Sequence, residues 1–300
     1  MKNSESQAIG LGLAAVLCWS TVATAFKIAL AYQSVSALVF LASLTSVVFL
    51  GLVLAMQGKL NQAIFSLRRH WRRALLFGFL NPLLYYHILL WAYEILPAQV
   101  AQPINYTWAI MLALLAVPFL GHKLSKFDLM ALLICYSGVV VISLGAGAGG
   151  QATTTRGVAL ALISTVIWAA YWILNSRDHR EPIEALFQNF LVVLPVAGLF
   201  AGPLNLSWPA LLSSAYIGIF EMGISFVCWL YAMRRTRNAS RISNLIFLAP
   251  FISLMLIHFV LGETIHSFTF YGLALIIAGL VIQNRAAKPP TVVSLESTRD

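Results

Sequence analysis

Long apolar stretches of about 18 to 24 residues, separated by short polar or charged connectors, recur along the whole chain. Ten are legible, over residues 8–30, 36–56, 74–94, 98–119, 127–145, 157–176, 183–202, 209–232, 242–261 and 267–284. At roughly 1.5 Å of rise per residue, each is long enough to cross a hydrocarbon core of about 30 Å. Helix is the expected conformation, because a segment facing lipid must satisfy its own backbone hydrogen bonds, and the stretches lack the alternation of barrel strands. The pattern predicts an all-α polytopic membrane protein with ten transmembrane helices. The connectors leave no room for a soluble domain, and RAAKPPTVVSLESTRD after Asn284 reads as a disordered tail. Lys2 before the first stretch imitates a signal peptide, but no small-residue cleavage site follows and the run is too long, so a retained first helix is expected.

Sliding the chain over itself by 141 residues lays LGHKLSKFDLMALLICYSGVVVI (120–142) on LGETIHSFTFYGLALIIAGLVIQ (261–283). Leu120 then falls on Leu261, Gly121 on Gly262 and Gly138 on Gly279. A weaker echo pairs AAVLCWS (14–20) with ISTVIWA (163–169), Trp19 over Trp168, at an offset that calls for an insertion in GAGAGGQATTT. Two halves of five helices, an odd number, enter the membrane from opposite sides. The expected organisation is therefore an inverted repeat: 1–145 the first five-helix half, 146–156 an outer loop, 157–285 the second half, and 286–300 a cytoplasmic tail. Many secondary transporters share that layout, with the substrate near the midplane where the halves meet.

Composition agrees: 60% hydrophobic, 10% charged, mean hydropathy +0.85. The net charge of +9 invites a nucleic-acid partner, but its distribution removes that reading. With a cytoplasmic N-terminus, one side receives Lys2, Lys59, Arg68, Arg69, Arg72, Arg73, Lys123, Lys126, Arg177, Arg180, the arginines of RRTRNASR (234–241), Arg285, Lys288 and Arg299, and the other only Arg156. This is the positive-inside asymmetry of a multi-pass protein with both termini in the cytoplasm. Lys27 stands apart near the outer end of the first helix, where its stem can snorkel to headgroups and Glu94 can neutralise it. GAGAGG (145–150) matches a dinucleotide fingerprint by letters alone, since it follows a membrane helix rather than a strand. The three cysteines, Cys18, Cys135 and Cys228, share no CxxC spacing and read as small apolar residues. No cofactor and no metal set is expected.

Tryptophan and tyrosine ordinarily occupy interfacial belts, which accounts for Trp71, Trp91, Tyr93, Trp208, Trp229 and Tyr231 near helix ends. It does not account for Trp19, Tyr85, Tyr86, Tyr106, Trp108 and Trp168, which fall within about three residues, roughly 4.5 Å, of the middles of their spans. Packing or a hydrogen bond between helices explains any one of them. Their coincidence at one depth with His87, Asn105 and Glu221 points instead to a polar, aromatic-walled substrate cavity. An ionisable group there costs about 2.5–3.5 kcal/mol on insertion scales and faces a partner or water. Three roles are open to Glu221: binding a substrate ammonium, carrying a coupling proton, or pairing with His87. Pro103 and Pro250 fall in the fourth and ninth spans, counterparts in the two halves, and are expected to kink or break them beside the site.

These residues resemble the drug/metabolite transporter superfamily, specifically the EamA family. The likeness runs from GLAAVLCWSTV to LGETIHSFTFYGLALIIAGLVI, where the family's Gly-Glu pair stands at Gly262 and Glu263 and its following glycine at Gly272 in the tenth helix. INYTWAIMLALL and VIWAAYWILNS are similar to stretches of the YddG-type aromatic amino-acid exporters. Asn105, Tyr106 and Trp108 match that subgroup's Asn-Tyr-x-Trp-Pro, with Ala109 in place of the proline. The resemblance implies export of amino acids or similar metabolites across a bacterial inner membrane, through a central cavity that Trp19, Tyr106, Trp108 and Trp168 face.

An enzyme is not expected, since there is no H-E-x-x-H, no intramembrane carboxylate pair and no Ser/His partnership. A passive channel or an accessory flippase subunit is the competing class. Expected partners are a small-molecule substrate and the lipid bilayer. GLFAG (198–202) has the G-x-x-x-G spacing of a helix contact, within the chain or between two copies in a homodimer.

Overall fold

The computed structural model describes residues 2–121, 125–148, 154–236, 242 and 244–286, and among these there are helices and no strand. In chain order they are α1 (Lys2–Leu30), α2 (Val35–Met56), α3 (Leu60–Gly78), a kinked segment Phe79–Leu84 whose backbone is extended at Asn81, α4 (Tyr85–Ile95), α5 (Ala98–Tyr106), α6 (Trp108–Leu120), α7 (Lys126–Ala148), α8 (Thr155–Asn175), α9 (Pro182–Phe200), α10 (Trp208–Tyr216), a π-helical turn Ile217–Ile224, α11 (Ser225–Arg235), a 3-10 turn Asn244–Leu248, α12 (Ala249–Leu261) and α13 (Ser267–Ala286). Among the described residues eight helical stretches are long and apolar enough to cross a membrane, and Leu245–Leu261 and Ser267–Gln283 are shorter apolar helices. Lys123, residues 149–153 of the expected outer loop, residues 237–241 of RRTRNASR and the tail from 287 lie outside the described residues.

The fourth span is broken, though not at Pro103. That proline lies inside α5, and the junction with α6 is Thr107, whose hydroxyl donates to the Ile104 carbonyl at 2.8 Å. The same carbonyl would otherwise accept from the amide of Trp108 one helical turn on, so the side chain competes with the ladder at the point where the helix breaks. In the ninth span, Pro250 stands in the first turn of α12, where a proline is tolerated, and the 3-10 turn precedes it. The half-helices α6 and α12 begin at 108 and 249 and end at 120 and 261, positions 141 apart. Each is closed by a left-handed glycine, Gly121 at φ 70° and Gly262 at φ 69°, a conformation that costs a residue with a Cβ.

The apolar faces pair in a regular order: α7 with α13, α2 with α9, α1 with α11 and α12, and α8 with α4 and α6. The α7–α13 contact brings backbones together. A Cβ on Gly138 would lie 2.5 Å from the Gly272 carbonyl oxygen, and one on Gly279 would lie 2.7 Å from that of Ala131. Lipid supplies little hydrophobic drive between helices, so such close approach of small residues is the main route to dispersion energy. Of GLFAG, Gly198 meets the Phe40 ring of α2 in the same chain, whereas Gly202 lies beyond the end of α9 with no described side chain or backbone close to where a Cβ would lie.

Candidate functional site

The half-helix α5 is anchored at one end by a carboxylate and at the other by the Thr107 break. Glu263, between α12 and α13, accepts from the backbone amides of Ala98 at 3.0 Å and Gln99 at 3.2 Å, two of the donors that a helix N-terminus leaves unpaired. The buried Gln99 side chain donates to the Thr264 carbonyl at 2.8 Å and accepts from the His266 amide at 3.2 Å and the Thr269 hydroxyl at 2.9 Å. A Glu263→Ala variant is therefore expected to lose about 0.5–2 kcal/mol, the usual worth of an N-cap. Thermal unfolding in detergent measures it, and an unchanged midpoint would show that the cap contributes nothing.

Lys27 does not reach for headgroups. Its ammonium donates to the carbonyls of Tyr93 at 2.8 Å and Leu96 at 3.1 Å, closing the C-terminal end of α4.

These anchored pieces surround a cavity of about 100 Å³. Its wall takes Trp19, Val22 and Phe26 from α1, Tyr85, Leu89 and Tyr93 from α4, and Gln102, Asn105 and Tyr106 from α5. Trp108 of α6, Trp168 and Trp172 of α8, Glu221 of the π-helical turn Ile217–Ile224, Trp229 of α11 and Ile246 complete it. Trp168 is the hub of the aromatic part, stacked on Tyr85 at 4.3 Å and on Tyr171 at 5.3 Å between ring centroids. Across from it, Trp19 packs on Trp229 at 5.1 Å. Asn105 donates to the Ser164 hydroxyl at 3.1 Å and so pins α5 to α8.

Glu221 sits at 9% exposure, carried inward by a π-helical turn, a distortion frequent at functional sites. One carboxylate oxygen accepts from the Tyr86 hydroxyl at 3.1 Å, and the other has no hydrogen-bond partner. A buried carboxylate oxygen without a donor costs free energy until something supplies one. The arrangement can take an ammonium or other donor from the cavity, with aromatic faces around it to receive a cation or an apolar ring.

The structure gathers Trp19, Tyr85, Asn105, Tyr106, Trp108, Trp168 and Glu221 around one space, and leaves two of the expected residues off its wall. Tyr86 is fully buried behind the wall and reaches it through the hydrogen bond to Glu221. His87 is turned away: its Nδ1 lies 2.6 Å from the Leu83 carbonyl and its ring packs edge-on against Trp91. The partner of Glu221 is thus Tyr86 and not His87. Successive helical residues point about 100° apart, so three neighbours in Tyr85-Tyr86-His87 cannot share a face.

Tyr93 and Trp229 line the cavity rather than an interfacial belt, whereas Trp71, Trp91 and Trp208, 50%, 40% and 75% exposed, fit belt positions. Phe26, Gln102 and Trp172 also line it, though their depth does not single them out. Helical spacing could have found them, since they lie seven residues from Trp19, three from Asn105 and four from Trp168. Among the described residues no three His, Cys, Asp or Glu side chains converge as a metal site.

The family model described as the EamA-like transporter family matches residues 6–144 and again 155–285. The chain is 27% identical over 267 residues to a protein of Ancylobacter novellus named aromatic amino acid exporter YddG, covering 85% of this chain and 88% of that one. It is 28% identical over 212 residues to a probable terminal-alkyne amino-acid exporter of Streptantibioticus cattleyicolor, covering 67% and 69%. It is 24% identical to the uncharacterized transporter YvbV of Bacillus subtilis, over 91% of this chain and 90% of that one. A solved crystal structure shares the fold at a TM-score of 0.65 and 24% identity, covering 93% of this chain and 96% of the other.

Proposed function

The chain belongs to the EamA-like transporter family, and from that premise we propose that it is a secondary exporter of amino acids or similar small metabolites in a bacterial inner membrane, with both termini in the cytoplasm. The observation that carries the reading is the aromatic cavity that holds Glu221 with one oxygen unpartnered. Relatives named as amino-acid exporters support the solute class. An α-ammonium would satisfy the free oxygen, and an apolar or aromatic side chain would lie against Trp19, Tyr85, Trp108 and Trp168.

Alternating access between two inverted halves is the mechanism proposed. The family model's two separate matches support it, as do the 141-residue correspondence of α6 with α12 and the helix pairing. Exchanging the halves maps α1–α11 onto α8–α4, α1–α12 onto α8–α6, and α2–α9 and α7–α13 onto themselves. The packing is thus one that two opposed states could share by rocking one half against the other.

Uptake of labelled amino acids into inside-out vesicles tests the function. Trp108→Ala removes one wall and is expected to raise KM on the order of tenfold, the worth of a lost aromatic contact of about 1.4 kcal/mol. Counterflow of labelled solute against unlabelled distinguishes a carrier from a channel, and its absence would sink the carrier reading.

A further inference from the structure

Beneath the central cavity lies a second one, of about 200 Å³, whose wall includes Trp172, Asn175, Asp178, Arg180, Asn189 and Phe226. It opens toward the connector between α8 and α9, on the proposed cytoplasmic side. Trp172 belongs to both walls. Phe226 lies parallel to it at 6.5 Å and also meets Trp168 at 6.0 Å and Trp19 at 6.1 Å, so the Trp172–Phe226 pair is the partition between the two spaces.

The lower cavity holds a buried ion pair. The side chains of Arg180 and Asp178 are each 3% exposed, with Arg180 Nη2 donating to Asp178 at 2.6 Å and Nε to both carboxylate oxygens at 3.0 and 3.1 Å. Arg180 also donates to the side-chain oxygens of Gln188 at 3.0 Å and Asn189 at 2.9 Å, and its guanidinium lies 5.7 Å from the Phe77 ring centre. Burial pushes the Asp178 carboxyl up, but the hydrogen bonds and charge of Arg180 outweigh it and hold the group below the ordinary carboxylate value. At the partition, the indole N–H of Trp172 is buried without an acceptor.

We propose that this cavity is a loading subsite for zwitterionic amino acids, in which Arg180 takes the α-carboxylate and Asp178 the α-ammonium before the solute passes Trp172 and Phe226. The subsite rests on the amino-acid reading above and deepens it. Opposite charges held side by side match a zwitterion in a way they match neither an anion nor a cation. A lone anion drawn to Arg180 would leave Asp178 buried and uncompensated, and a lone cation would strand Arg180. A zwitterion exchanges one ion pair for two and leaves no charge unpaired. Gln188 and Asn189 hold the guanidinium in place during that exchange, and the Trp172 N–H is placed to donate to the incoming carboxylate.

The test uses purified full-length protein in proteoliposomes, with labelled amino acids presented to the cytoplasmic face. Replacing both partners, Arg180→Met with Asp178→Leu, strands no buried charge and leaves the neutral side-chain oxygens of Gln188 and Asn189 without their donor, so the fold is expected to persist at reduced stability. Its KM for amino acids should rise on the order of tenfold with kcat little changed. Trp172→Phe keeps the ring, loses the N–H, and should raise KM severalfold; an unchanged KM there overturns the subsite even if the double variant fails to fold. Wild-type KM in either folded variant would overturn the subsite while leaving the export reading intact. A wild-type protein that moves no amino acid would overturn that reading and the subsite with it.

Discussion

Glu221→Gln is expected to lower the export of ammonium-bearing solutes by on the order of 10- to 100-fold while leaving the protein folded, because a charge-assisted hydrogen bond is worth about 1.5–3 kcal/mol. Glutamine keeps the length and the oxygen that accepts from Tyr86, so the wall geometry survives. What it removes is the ability of the oxygen that has no partner to carry a negative charge beside a bound ammonium. The loss should therefore follow the substrate: large for a free amino acid, small for its N-acetyl derivative, whose nitrogen carries no charge. Paired uptake measurements on the two solutes in wild type and variant decide it. Equal loss on both would make Glu221 a structural or proton-handling group, and no loss on either would remove it from the substrate site.

Much of this arrangement is legible in the sequence, and what is not has identifiable physical causes. Depth in a membrane helix follows from counting residues, so the mid-span aromatics Trp19, Tyr85, Tyr106, Trp108 and Trp168 can be set at one level from sequence, and they do converge on one cavity. Azimuth is different: it depends on which neighbour each face meets. That is why His87, expected at the same depth, faces Trp91, and why Tyr93 and Trp229, expected in belts, face inward. Backbone breaks are legible only coarsely. Proline identifies a weak stretch, but in the fourth span the junction falls where the Thr107 hydroxyl competes for the Ile104 carbonyl, a local contest that hydropathy does not register. The kink at Phe79–Leu84 is marked by the Asn81-Pro82 pair within the third span, whereas the π-helical turn Ile217–Ile224, which carries Glu221, leaves no trace in the apolar pattern. In the sequence Arg180 reads only as charge on a connector, because burial of its pair with Asp178 depends on the helices that fold over that connector.

Trp168→Ala should be the most damaging single substitution in the cavity wall. Trp168 is 8% exposed and stacks between Tyr85 and Tyr171, with edge contacts to Trp172 at 5.8 Å and Phe226 at 6.0 Å. Removing an indole from such a setting costs about 3–5 kcal/mol when the surroundings cannot collapse. They are poorly placed to do so, since α8 is held on α5 by Asn105–Ser164 and packs on both α4 and α6. In the bilayer this cost is chiefly lost packing, because lipid offers the unfolded reference little hydrophobic penalty. Trp168→Phe keeps one ring in the stack and should lose roughly half as much, so the two variants form a series in stacked area. Thermal unfolding in one detergent, with and without a transported amino acid, reads both consequences. The alanine variant should melt lowest and gain least from the ligand, since a ligand stabilises only in proportion to its affinity for the folded state. A Trp168→Ala protein that melts within about 1 kcal/mol of wild type and keeps its full ligand shift would show that the stack is neither a structural hub nor a substrate wall.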